Sequence, residues 1–356
     1  MTQQLLIFCT VALFAWSFGL VVFTVAMRAI TAWRRRRWQR GEDTWRSPVE
    51  AFVLNDTPLP ASPRSGRRVI REMLLRYLAV LHGEEAKRIV AYLEGSGSVA
   101  AAVRQLRARN RWRRVAAASQ LGRMRSQLAV QPLITALHDE SEDVRTVAAR
   151  SLAAIGRPEA IHALATALGD QSRWTASRVA ADLVEMGSFA VPTLLEIVGG
   201  EKKEAAVSAV RVLGEIRDPR AVPSLAEILQ RSGDLNMRAQ AARALGKIAS
   251  LQATERLRTA LTDDAWQVRA QAATALGALG DPKNVDILTA AIADHSWWVR
   301  RNCAEALGRL GTAGGQALLL LSTSPDRYVR DRCLAVLEEL EAAADTGRQP
   351  AVRRTS

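Results

Sequence analysis

Aromatic side chains make up only 5% of this chain, so its interior has to be assembled from Ala, Leu, Val and Ile. Side chains that small suit thin helices stacked closely. Cysteine occurs three times in 356 residues, too sparsely for a disulfide framework. Cys9 falls in the amino-terminal apolar run, and Cys303 and Cys333 read as small buried hydrophobes. The four histidines, His82, His138, His162 and His295, form no cluster with metal-ligand spacing, so neither a metal nor a cofactor is expected. No nucleophile elbow, phosphate loop or paired-carboxylate motif occurs either. The chain is accordingly expected not to be an enzyme. Lysine is scarce too, five of the 49 basic side chains, a bias expected of a GC-rich bacterium.

Charge is missing altogether from Leu5–Met27. Those 23 residues are long enough to cross a ~30 Å hydrocarbon core at 1.5 Å per residue. A cleaved signal peptide would want basic residues before the apolar run, yet Met1–Gln4 has none. The charge follows instead, as Arg28, Arg34, Arg35, Arg36, Arg37 and Arg40, with Trp33 and Trp38 interleaved. Basic residues stay cytoplasmic and Trp favours the headgroup layer. The expectation is a transmembrane anchor over 1–30 in a bacterial inner membrane, crossed once, amino terminus outside and the rest in the cytoplasm. Beside a membrane, the Arg run suits anionic lipid, at about 1 kcal/mol per basic residue.

From Gly41 to Gly66 the apolar pattern dissolves among Pro48, Pro58, Pro60 and Pro63. The basic segment and this stretch together, 31–66, are expected to form a juxtamembrane linker with a flexible span of roughly 25–30 Å. Three amphipathic stretches follow, Arg67–Leu81, Glu84–Leu93 and Ser98–Leu106, which suit a helical amino-terminal cap over 67–108. The tail, 342–356, is expected to be disordered.

Everything between is periodic. DDAWQVRAQAATALGALG (Asp263–Gly280) returns as DHSWWVRRNCAEALGRLG (Asp294–Gly311) and, earlier, as DESEDVRTVAARSLAAIG (Asp139–Gly156). One leucine marks each copy: Leu121, Leu152, Leu183, Leu213, Leu245, Leu276, Leu307 and Leu337, spaced 30 to 32 residues apart. So steady a period is the signature of a stacked repeat. Within a copy, Val144, Ala148, Leu152 and Ile155 make one helical stripe. Asp139, Asp170, Asp263 or Asp294 is placed to cap that helix, and Gly156 or Gly280 to end it. Pro132, Pro192 or Pro223 opens a second helix. The expected fold is all-α: a right-handed α-solenoid of about seven to eight helical hairpins over 109–341, after one transmembrane helix.

The pattern V-R-x-x-A-A-x-A-L-G-x-L-G-D-P, as in Val268–Pro282, resembles the HEAT-like repeats of the phycobilin-lyase type over roughly 109–340. That resemblance implies a fold more than an activity, because lyases, hydroxylases, glycosylases and plain scaffolds share it. It also implies that the recurring Arg (Arg114, Arg145, Arg238, Arg269, Arg300, Arg330) pairs with an Asp of the adjoining turn. Ala176 and Ala206 break the series, so the middle is expected to be looser or bent. The hydroxylases of this type carry recurring His-Glu pairs, and no histidine here precedes a Glu. The glycosylases need a basic groove, whereas residues 109–341 carry a net charge of only +3.

Tryptophan is the residue type this fold does not demand. Trp112, Trp174 and Trp298 stand nine residues before their marker leucine, and Trp266 and Trp297 stand ten before. All begin first helices, so they are expected along one edge, with Arg111, Arg113, Arg173 and Arg301 as a polar rim. They either plug gaps between turns or form a contact strip, since Trp and Arg dominate binding hot spots. The functional expectation is a membrane-anchored cytoplasmic scaffold or adaptor for a protein partner, such as a membrane enzyme or an envelope-polysaccharide assembly. Lipid is expected at Trp33, Arg34, Arg35, Arg36, Arg37 and Trp38. Nucleic acid and small-molecule substrates are not expected. A membrane-tethered nucleic-acid-binding or repair protein is the alternative, and a lyase or hydroxylase the third.

Overall fold

Alternating short and long apolar stripes in this sequence fold into helices stacked one unit upon the next. The computed structural model describes the backbone of residues 2–169, 173–200 and 202–345. It describes their side chains except at 2–15, 34, 64, 65, 173–175 and 343–345. The expected disordered tail falls, from residue 346, outside the described residues. Among the described residues every regular element is a helix.

α1 runs unbroken over Thr2–Asn55. Among the described residues it alone is long and apolar enough to cross a membrane, by length and composition. Its course corrects the expected linker: residues 41–55 are helical, and only 56–63 lie outside regular structure. The cause is a stripe that the prolines obscure. Val49, Phe52 and Val53 are buried against α2 (Arg64–Leu78) and α3 (Glu84–Gly95), and Phe52 meets Tyr92 with ring centroids 5.4 Å apart. Burying three such side chains contributes about 1.5–3 kcal/mol each, which outweighs the roughly 3 kcal/mol that an internal Pro48 costs. Arg76 of α2 adds a 2.8 Å bond to Glu42. α4 (Ser98–Gln105) completes this cap.

The repeats begin at α5 (Arg111–Met124) with α6 (Val130–Ala136), followed by α7 (Glu142–Ile155) with α8 (Pro158–Ala167). Next come α9 (Arg173–Met186) with α10 (Val191–Val198), α11 (Lys203–Ile216) with α12 (Val222–Arg231), and α13 (Leu235–Ile248) with α14 (Thr254–Ala260). α15 (Trp266–Leu279) with α16 (Val285–Ala291), α17 (Trp297–Gly308) with α18 (Gly311–Leu321), and α19 (Arg327–Asp345) finish the series. The marker leucines of α5, α7, α9, α11, α13, α15 and α17 have no exposed surface. Cys303 and Cys333 are buried beside them.

Two local rules hold the stack in register. The first is glycine. Gly156 and Gly280 end α7 and α15 in left-handed conformation (φ 66° and 68°), as expected. The glycine after the marker leucine does something else. A Cβ on Gly246 would lie 2.8 Å from the Ala275 Cα, and one on Gly277 would lie 2.6 Å from the Ala306 Cα. Consecutive first helices therefore touch backbone to backbone. The second rule is the Arg–Asp pair. Arg238 grips Asp263 through Nε and Nη2 at 2.8 and 2.9 Å, and Arg269 grips Asp294 at 2.7 and 2.9 Å. Each also donates Nη1 to a carbonyl six residues back, at 2.9 and 2.8 Å. Arg114 reaches Asp139 and Glu140 through Nη2 alone, at 2.9 and 2.8 Å. The aspartates are not helix caps as expected: Asp139, Asp263 and Asp294 accept from Ser141, Ala265 and Ser296 in the turn before each helix. The same Oδ1 also accepts from Nη2 of the neighbouring unit's Arg, and in Asp263 and Asp294 Oδ2 accepts from its Nε. Asp170 lies outside the described residues.

Candidate functional site

Because the pair Arg–Asp fixes where each first helix starts, it also fixes where the residues just after that start point. Trp266 opens α15, and Trp297 and Trp298 open α17. Trp266 and Trp298 stack with centroids 6.2 Å apart at 16°, and Trp297 meets Trp298 edge-on at 4.8 Å and 79°. All three remain 40–49% exposed, more surface than a gap-filling residue leaves open. Arg301 lies over the Trp297 ring at 5.5 Å and is held by Glu305 at 2.8 Å, which also takes Arg332 of α19 at 2.7 Å. The expected rim is present at this end.

One further aromatic escaped the sequence reading. Tyr328 stands nine residues before Leu337, the register of Trp298, and is 68% exposed. Its ring receives Arg300 at 5.3 Å. Proline stands at 325, where earlier units carry the pairing Asp. Arg300, with no Asp at the pairing position, thus faces an aromatic ring, and the row continues from α15 to α19. The signal was the common register, hidden by the change from Trp to Tyr.

The other predicted members are placed apart. Trp112 is exposed on α5 with Arg111 over its ring at 4.8 Å, and four first helices stand between it and α15. Arg113 is exposed beside it. The side chains of Arg173 and Trp174 lie outside the described residues. The structure thus brings three of the five tryptophans together rather than all five. On α1, Arg37 covers Trp33 at 5.4 Å, and Arg35 and Arg36 are exposed. Trp38 is half-buried against the cap, so its ring is partly turned away from solvent. The Arg34 side chain lies outside the described residues.

The electrostatics around the row are those of the ladder. Burial alone would raise the Asp263 and Asp294 carboxyls. The hydrogen bonds from Arg238 and Arg269, and from the amides of Ala265 and Ser296, outweigh it and hold both below the ordinary range. Among the described residues no three His, Cys, Asp or Glu side chains gather so as to hold a metal ion.

The profile of HEAT repeats matches residues 99–184, 191–269 and 254–338. A curated relative, the bilin biosynthesis protein RpcF of Synechococcus sp. (strain WH8020), is 32% identical over 102 residues. That match covers 26% of this chain, and the chain spans about half (49%) of that relative's length. Human deoxyhypusine hydroxylase is a similar solved chain at 23% identity, covering 85% of this chain and 98% of that one, with a TM-score of 0.31. The CpcE–CpcF complex of phycocyanin lyase from Nostoc sp. PCC7120 is another, at 21% identity over 68% and 94%, with a TM-score of 0.32. The match to a bilin biosynthesis protein contradicts the expectation that the chain is not an enzyme. With the profile matching well over half of its length, the chain belongs to the HEAT-repeat family.

Proposed function

We propose that this chain holds a protein partner through its solenoid while α1 tethers it to a bacterial cytoplasmic membrane. One observation carries the reading: the half-exposed row Trp266, Trp298, Trp297 and Tyr328, with Arg300 and Arg301 seated on its rings. Rigid aromatics with guanidinium neighbours are what binding hot spots are made of. The partner is a membrane enzyme or an envelope-polysaccharide assembly. The exposed Arg35, Arg36 and Arg37 face anionic headgroups on the cytoplasmic side. Crosslinking the tagged protein in its native membranes tests both halves. A partner captured by wild type and lost in Trp266→Ala/Trp297→Ala/Trp298→Ala, with the melting temperature unchanged, supports the row. Capture that survives the triple change refutes it.

The match to a bilin biosynthesis protein favours a second reading, in which the bound protein is a substrate of a lyase that includes this chain. Mixing the purified chain with a bilin and watching for a change in the pigment's absorbance separates the two readings.

A further inference from the structure

The close approach of first helices is interrupted around α9, and again at the terminal pair α17 and α19, where a Cβ on Gly308 would meet the Val336 side chain at 3.0 Å and no backbone. The glycine after the marker leucine is present as Gly122, Gly214, Gly246, Gly277 and Gly308, but becomes Ala153 in α7 and Val184 in α9. The residue that meets it from the next unit changes in step. Where Ser151, Ala244, Ala275 and Ala306 would touch a Cβ at 2.6–2.9 Å, the middle pairs are Ala153 with Asp182 and Val184 with Val212. Larger side chains on both sides keep the backbones apart. Packing between consecutive first helices is accordingly dense from α5 to α7 and from α11 to α17, and thin on both sides of α9 and between α17 and α19.

The polar clamps lapse beside this region, from α9 to α11 and from α11 to α13. Ala176 and Ala206 stand where the ladder needs Arg. Ser232 stands where the partner Asp would be: Arg238 donates to the Ser232 carbonyl at 2.9 Å as Arg269 does to that of Asp263 at 2.8 Å. Arg and Asp are thus lost together across the α11–α13 turn. At the α7–α9 junction sits Asp182, 2% exposed, with only Arg178 at 3.3 Å, and its Oδ2 makes no hydrogen bond. The Arg178 Nε is buried without a partner as well. Burial pushes the Asp182 carboxyl up despite Arg178 and Arg150. A buried carboxylate oxygen without a donor disfavours the arrangement that buries it. At the turn edge one strong link persists, Arg220 to Asp218 and to the Ser188 carbonyl at 2.7 Å.

We infer that the two junctions around α9 form a joint, pivoting near Ser188–Arg220, about which the two halves of the solenoid change their relative orientation. Interlocked backbones resist sliding on either side, from α5 to α7 and from α11 to α17, and bidentate ion pairs reinforce them from α13 to α17. At α9 the contact surface is side chain on side chain, which rotamer changes can accommodate. The halves α5–α8 and α11–α18 then move as bodies.

The test is a pair of spin–spin distance distributions on the full chain, with the three native cysteines replaced by alanine. Labels at Ser119→Cys and Arg211→Cys span three junctions that include both open ones. Labels at Arg211→Cys and Arg309→Cys span three interlocked ones. The first distribution is expected to be the broader, and Ala153→Gly/Asp182→Ala, which installs the interlocking pair, is expected to narrow it. Equal widths in the unmodified junctions overturn the joint. So does a width that the folded double variant leaves unchanged. Should that variant fail to fold, the comparison of the two label pairs still decides.

Discussion

Replacing Gly277 by alanine removes nothing and adds one methyl group, yet the stack leaves no room for it. The new Cβ would fall 2.6 Å from the Ala306 Cα and 2.7 Å from its Cβ. Carbon atoms in contact rest at about 3.5–4.0 Å, so α15 and α17 would have to separate by about 1 Å. They cannot do so freely, because Arg269 and Asp294 tie the same two units at 2.7 and 2.9 Å. Overpacking of this kind costs about 1–3 kcal/mol, and a clash with backbone rather than a flexible tip belongs at the upper end. Alanine's better helix propensity returns about 1 kcal/mol, leaving a net loss of about 1–2 kcal/mol. At roughly 2–4 °C per kcal/mol, the melting temperature should fall by about 2–8 °C. Gly95→Ala in α3 is the control, since nothing lies within 4 Å of its Cβ. The same substitution there should be neutral or slightly stabilising. Thermal unfolding followed by circular dichroism compares the two. A Gly277→Ala chain that melts at or above wild type, or a Gly95→Ala chain that loses as much, refutes the interlocking argument.

Four further outcomes are expected. Arg269→Ala leaves the Asp294 carboxylate largely buried without its guanidinium, and urea unfolding should register a loss of about 1.5–3 kcal/mol. Asp263 and Asp294 are depressed in the folded state, so their stabilisation is complete above about pH 4 and lost as pH falls through the folded values. Urea midpoints should drop over that acid range, and less steeply in Arg269→Ala. Burial pushes the thiols of Cys303 and Cys333 up to about 12 and about 11. At about pH 8 a thiolate-selective reagent should therefore label neither until the chain unfolds. Val53→Asp, an unpaired charge at a fully buried site of α1, should cost about 3 kcal/mol or more and expose residues 41–63 to protease.

Periodicity made most of this architecture legible. The marker leucines, the recurring Arg and the paired helices could be read in sequence order because each serves its own unit or the next one along. The contribution of Gly246 and Gly277 could not be read that way. It depends on which backbone atoms face each other across units, and a glycine ending Ala-Leu-Gly looks like a helix stop. The prolines of 48–63 misled for a related reason. Pro58, Pro60 and Pro63 do mark an irregular connection, but Pro48 lies inside α1, where the burial of Val49, Phe52 and Val53 outweighs its cost. Within the aromatic row, Trp266, Trp297 and Trp298 were legible from register, Tyr328 was missed, and Trp112 belongs elsewhere on the stack.

α1 also sets a bearing. The same hydrogen-bonded rod carries the apolar stretch and the residues seated in the cap, with no slack between them. A helix in a bilayer leans until its apolar length matches the hydrocarbon thickness. With the apolar stretch of α1 embedded, every degree of that lean would become a degree of heading for the whole stack. Membrane thickness would then steer the angle at which the aromatic row meets whatever lies alongside it.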